Sequence, residues 1–352
     1  MRTHEAVRLL LVLALGLAGG AIAHRYSTPT IQAHVGAPGA TKLAAGSAAG
    51  TAPTLKPAAA ESPESTPDEG SQAEGESTDP GFDPEVVMYD QHRQMEAALH
   101  RLAPQTPGKT DLYFLAFGAD GAEDVFRNEA EYAERLMASR FGAAGHTLAL
   151  VNNAATVDTR PLATWSNLEI ALDGLEKVMD PTEDVLVLFL TSHGGEDHVL
   201  LVDLDPLPLD QIGPDDLADI LGKHHFRWKV VIVSACYSGG FVAPLKNATT
   251  MVITAARADR TSFGCGSDAD ITWFGKAFFA EGLNQSDSFR GAFGIASNLI
   301  QEWETRDGEA HSEPQFASTP LIEAKLRTWR DGIRLGPPLP FVAPRETLTA
   351  KR

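Results

Sequence analysis

The chain has 352 residues, a formal net charge of -18 and a hydrophobic fraction of 43%, a length that suits two average domains or one large α/β domain with tails. Ten acidic residues and no Lys or Arg lie between Glu61 and Asp90, and subtracting that -10 leaves -8 for the rest. No basic surface is available to displace counterions from phosphates, which excludes nucleic acid as a partner.

In chain order, Arg2 and Arg8 flank a short polar start, and an apolar run from Leu9 to Ala23 ends in Ala21-Ile22-Ala23. This pattern fits a signal peptide with its cleavage site and is short for a membrane span. Residues 1–23 are therefore expected to be a cleaved signal peptide or a retained N-terminal membrane anchor, and either leads to export. Residues 24–83 are rich in Ala, Gly, Pro, Ser, Thr and Glu with few large apolar side chains. Such a stretch buries too little surface to offset its ordering entropy, and is expected to be a disordered linker.

From residue 84 to 352 the pattern is that of one folded domain. A helix is predicted behind Asp83-Pro84, running to about Leu102. Next come a strand, DLYFLAFG (Asp111 to Gly118), and an amphipathic helix from Phe126 to Phe141. A second strand (Thr147 to Asn153) and helix (Ala163 to Met179) follow, then the continuous apolar strand VLVLFL (Val185 to Leu190). DHVLLVDLD (Asp197 to Asp205) suggests a small hairpin or edge extension. A helix opens at Pro214, and the strands KVVIVSAC (Lys229 to Cys236) and TMVITAA (Thr250 to Ala256) come after it. Helices over 272–283, 289–304 and 321–329 complete the domain. Short apolar strands separated by helices predict a mostly parallel sheet covered on both faces.

Ligands bind beyond the carboxyl ends of the strands in such a sheet, and two reactive side chains sit there at one offset. His193 is the third residue after VLVLFL, and Cys236 the third after VVIV. Side by side they would form a thiol nucleophile and its base, since an imidazolium stabilises a thiolate. The pairs Gly194-Gly195 and Gly239-Gly240 allow close backbone approach. The N–H groups of Gly194 and Cys236 are the candidate donors to a tetrahedral oxyanion. A cysteine at a strand end is, taken alone, more often a small buried hydrophobe. A Cys236–Cys265 disulfide would cap the thiol and remove nucleophilic catalysis. The run HGGEDH, with His224 and His225, offers a metal-dependent alternative, but two ligands would be adjacent residues and no third histidine has a defined spacing. No metal and no cofactor is expected. No G-x-S-x-G elbow is present.

The blocks LFLTSHGGEDH and VVIVSACYSGGF resemble the histidine and cysteine blocks of the legumain family of cysteine peptidases, within the caspase-like clan. The stretches DVFRNEAEYAERL and VITAARADRTSFGCGSDADITWFGKAF are similar to the same family, especially its bacterial branch. The resemblance implies a caspase-like αβα sandwich, with His193 as general base and acid and Cys236 as the nucleophile that forms a thioester acyl-enzyme. It implies a peptide or protein substrate, and a location in the periplasm or anchored to the inner membrane facing it. Arg127 falls where the family has a basic residue in the pocket for the side chain before the cleaved bond, and Ser262 at a serine of that pocket. A helix-surface arginine is the alternative for Arg127, since an arginine at a helix start after a strand serves either purpose.

Three departures stand against a full carry-over. Tyr237 replaces the acid that follows the nucleophile in animal and plant legumains, a second pocket acid falls at Lys276, and the asparagine that assists the pair in some relatives falls near Val125. Asparaginyl specificity is therefore not expected. The same acyl-enzyme would serve a transamidase or ligase, and a non-catalytic caspase-like scaffold is the alternative from outside enzymology.

Overall fold

In the computed structural model, which describes residues 80–344, the apolar runs become strands β1 (Leu112–Gly118), β2 (Thr147–Val151), β3 (Val185–Thr191), β4 (Trp228–Ser234) and β5 (Thr250–Thr254). With β6 (Gln315–Ala317) they form one sheet in the order β2-β1-β3-β4-β5-β6, parallel throughout except for the antiparallel β5–β6 pair. The signal segment and most of the linker expected from the sequence lie outside the described residues. Among the described residues no helix is long and apolar enough to cross a membrane.

Burial on both faces explains why these strands read as continuous apolar runs rather than alternating ones. β1 and β3 are buried along their whole length. Successive side chains still point to opposite faces, and the core divides accordingly. Phe114, Val187, Phe189, Val230 and Ile232 face one layer, while Tyr113, Leu115, Leu188, Val231 and Val233 face the other.

The first layer is built on α2 (Asp124–Arg140) and four C-terminal helices: α6 (Trp273–Gly275), α7 (Leu283–Gln285), α8 (Phe289–Asp307) and α9 (Pro320–Asp331). The turn between α6 and α7, Lys276–Gly282, is π-helical. Phe189 is fully buried here, 4.6 Å from the Phe279 ring and 6.4 Å from Phe114. Truncating it to Ala would cost about 3–5 kcal/mol.

The second layer is α1 (Pro84–Leu99), α3 (Trp165–Val178) and α4 (Pro214–Gly222). Local chemistry fixes the helix ends. The Asp83 carboxylate accepts from the N–H groups of Glu85 and Val86 at 3.0 and 3.2 Å, with Pro84 at the first helical position, where its missing donor costs nothing. Thr164 caps α3 in the same way. Gly308, at φ 75°, ends α8 in the left-handed conformation that residues with a Cβ avoid.

Three differences from the sequence reading concern short or irregular pieces. The 197–205 stretch forms no strand. It makes isolated bridges instead, Gly194 to Leu200 and Asp203 to Asp120. The edge strand β6 was not anticipated. Nor was the single turn of 3₁₀-helix at Ser238–Phe241 that runs into α5 (Val242–Leu245) directly after the cysteine.

Candidate active site

Register places the loops that carry the predicted pair side by side. Gly118, Thr191 and Ser234 are aligned partners at the ends of β1, β3 and β4. Two residues further along each strand come Asp120, His193 and Cys236. The period of two keeps these positions in phase with the face covered by α2. The loops touch at the backbone: a Cβ on Gly194 would collide with the carbonyl oxygen of Cys236. Only glycine permits that approach. The N–H of Gly194 makes no hydrogen bond within the described residues and stays free to donate.

The two loops are also joined further out. His198 Nδ1 lies 3.1 Å from the Tyr237 carbonyl, and its ring fills the space where a Cβ on Gly240 would stand. The Tyr237 hydroxyl donates to Glu196 at 3.5 Å. Both His198 (φ 67°) and Tyr237 (φ 55°) are left-handed, two of three such non-glycine residues among those described. A non-glycine residue persists there only where its surroundings over-determine it, and such positions cluster at functional sites.

Cys236 and Cys265 are free thiols, so the disulfide considered from the sequence is not formed. Cys236 Sγ accepts from the Ser262 N–H at 3.2 Å and donates to the Ser262 carbonyl at 3.5 Å. The Cys236 thiol is lowered to about 6, first by a hydrogen bond with the Cys265 thiol and then, against the opposing effect of burial, by the N–H groups of Ser262 and Cys236 itself. The Cys265 thiol is pushed up, by the same hydrogen bond and by burial. The loop after β5 therefore favours ionisation of Cys236, a contribution the sequence reading had assigned to the imidazole alone.

The imidazole has its own neighbours. His193 Nε2 stands 3.7 Å from Asp120 Oδ2, and the Phe126 ring meets it edge-on at 5.0 Å. Asp120 is 1% exposed. Burial raises its carboxyl above the ordinary range, with Asp203 adding to the effect, while the Ala122 N–H and His193 work against it. Beneath both loops, Glu129 is fully buried and accepts from Thr191 Oγ1 at 3.0 Å. Burial raises it to about 7, against hydrogen bonds from Thr272, Ser234 and Thr191.

The two pocket candidates fare differently. Ser262 lies against Cys236 through its backbone. Arg127 is 13% exposed, and its guanidinium is committed to Asn153 Oδ1 at 2.8 Å, Asn128 Oδ1 at 3.0 Å and Asp124 Oδ2 at 3.0 Å. It braces the first turn of α2 against the loop after β2. Lys276 is exposed, with its ammonium 5.4 Å from the Trp303 ring centre. Among the described residues no cluster of three or more His, Cys, Asp or Glu side chains is arranged to hold a metal ion.

Residues 166–322, which include His193, Cys236 and Ser262, match the model described as "Peptidase C13 family". Over these residues the chain is similar to this legumain-like family of cysteine peptidases. The match begins after β2, so Asp120, Arg127 and Glu129 lie outside it. Solved structures similar to this chain include caspase-1 from Spodoptera frugiperda, at 13% identity over 60% of this chain and 87% of that one, with a TM-score of 0.41. The structure of pro-sf-caspase-1 is similar at 13% identity over 62% and 90%, with a TM-score of 0.40. A comparison with curated proteins returns no match.

Proposed function

We propose that the protein is an exported cysteine endopeptidase that hydrolyses peptide bonds through Cys236 and His193. The observation that carries this reading is the contact between the two loops, in which the Gly194 backbone packs on that of the nucleophile and its N–H remains unspent. Cys236 gives its proton to His193, and the resulting thiolate attacks the scissile carbonyl carbon to form the C–S bond as the C=O π bond opens. The N–H groups of Gly194 and Cys236 receive the developing oxyanion. His193 delivers a proton to the departing amine, leaving a thioester. Water then attacks the thioester while His193 takes its proton, and Cys236 departs as thiolate. Export, to the periplasm or to the periplasmic face of the inner membrane, is supported by the sequence of residues 1–23 alone.

Digestion of a peptide library by the purified protein tests the reading. Cys236→Ala and His193→Ala each lower kcat by about 10⁴-fold or more, with circular dichroism and melting temperature retained. Cleavage by Cys236→Ala at the wild-type rate would reject it.

A further inference from the structure

The sequence placed a nucleophile and a base at the strand ends, and the structure places a third polar group in line with them. Asp120 follows β1 at the offset at which His193 follows β3 and Cys236 follows β4, on three adjacent strands. We propose that Asp120 is the positioning residue of the His193–Cys236 pair, holding the imidazole proton on Nε2 so that Nδ1 is the nitrogen that exchanges protons with the thiol. This rests on the peptidase reading above and adds a residue to it.

The geometry separates this role from a merely local one. Asp120 has two oxygens with different work. Oδ1 accepts from the Ala122 N–H at 2.9 Å and shapes the turn. Oδ2 faces His193 Nε2 at 3.7 Å, an ion-pair distance that can close to a hydrogen bond when substrate binds. The loop that carries it is fixed on both sides. Ala119 N–H donates to Thr191 O at 3.0 Å, Gly121 N–H to Asp203 O at 2.8 Å, and Asn152 Nδ2 to Ala119 O at 2.7 Å. The Phe126 ring closes off another side of the imidazole. The charged and titratable groups acting on this carboxyl are His193 from the loop after β3 and Asp203 from the bridge beside it.

The proton balance is simple. The proton on Cys236 Sγ passes to Nδ1 and from there to the leaving amine. The Nε2 proton stays where it is, facing a carboxylate that neither gains nor loses one. A buried anion at that position also stabilises the imidazolium while both ring nitrogens carry hydrogen.

Asp120→Asn is the informative variant, because its amide oxygen can still accept from Ala122 while its NH₂ opposes a protonated Nε2. The expected result is a kcat at least about 100-fold lower with KM changed less than about twofold. The second measurement needs neither substrate nor activity. In ¹⁵N-histidine-labelled wild type, His193, assigned by the loss of its signal in His193→Gln, shows the Nε2–H tautomer, and Asp120→Asn converts it to Nδ1–H. A wild-type Nδ1–H tautomer, or a kcat unaffected by Asp120→Asn, overturns the inference and leaves the peptidase reading intact. Loss of that reading would show instead as activity retained in Cys236→Ala.

Discussion

The Glu129 carboxyl accepts a hydrogen bond from Thr191 Oγ1 at 3.0 Å, two residues before His193 on β3. Ser234, which pairs with Thr191 in the sheet, lies with Thr272 beside the same carboxyl, and their hydroxyls stand 3.1 Å from each other. One fully buried acid thus sits beneath the roots of the loops that carry His193 and Cys236. With its value raised from 4.5 to about 7, the folded protein keeps a proton between those pH values that the unfolded chain has released. Stability therefore falls as pH rises through that window, by roughly 3 kcal/mol in all. Glu129→Gln removes the slope and is more stable than wild type at about pH 8. Urea melts across the window test this, and parallel pH dependence in the two proteins would refute it.

Gly275 makes room for that acid, since a Cβ there would overlap the Glu129 carboxyl. Gly275→Ala is expected to cost about 1–3 kcal/mol. Combined with Glu129→Ala, the two losses should sum to less than their separate values, by about 1 kcal/mol or more. Additive losses in a double-mutant cycle would show that the two sites do not share this space.

Cys236, with its thiol lowered to about 6, should be alkylated by iodoacetamide with a pH midpoint near that value, while the raised Cys265 thiol stays unmodified at neutral pH. Cys265→Ala removes the largest influence lowering the Cys236 thiol and moves the midpoint upward. Mass spectrometry of digests reads both sites. Faster labelling of Cys265 than Cys236 would contradict the arrangement.

A methyl group on Gly194 must push the Cys236 carbonyl away. Gly194→Ala is therefore expected to lower kcat by about 100-fold or more, the scale of losing one oxyanion donor, with a smaller change in KM. Wild-type turnover in this variant would mean that the loops do not need their close approach.

Arg127 offers few unspent donors for a substrate. Arg127→Met should lower the melting temperature by several degrees, through the lost bracing of α2 and the partners left unpaired. A selective rise in KM without a change in melting temperature would instead indicate a substrate-facing role.

The strands were legible because burial on both faces writes each as an apolar run, and the main helices because their polar faces repeat at 3.6 residues. β6 was not, since three half-buried residues carry no pattern. The π-helical turn after α6 left no mark either. His193 and Cys236 stood out as residue types with known chemistry at strand ends. Asp120 stood at the same offset in FLAFGAD and could have been found by that rule, but an aspartate after a strand also reads as a turn residue. Glu129 could not, because on a helix with an exposed face a glutamate looks solvated, and the hydroxyls and glycine that enclose it come from distant parts of the chain.

His193 and Cys236 follow β3 and β4, the two innermost strands of a six-stranded sheet. Edge strands can fray alone, whereas these can separate only when the whole domain opens. Amide hydrogens at the ends of β3 and β4 should accordingly exchange with deuterium at the slowest, global rate. Catalytic precision would then survive any partial loosening that stops short of complete unfolding.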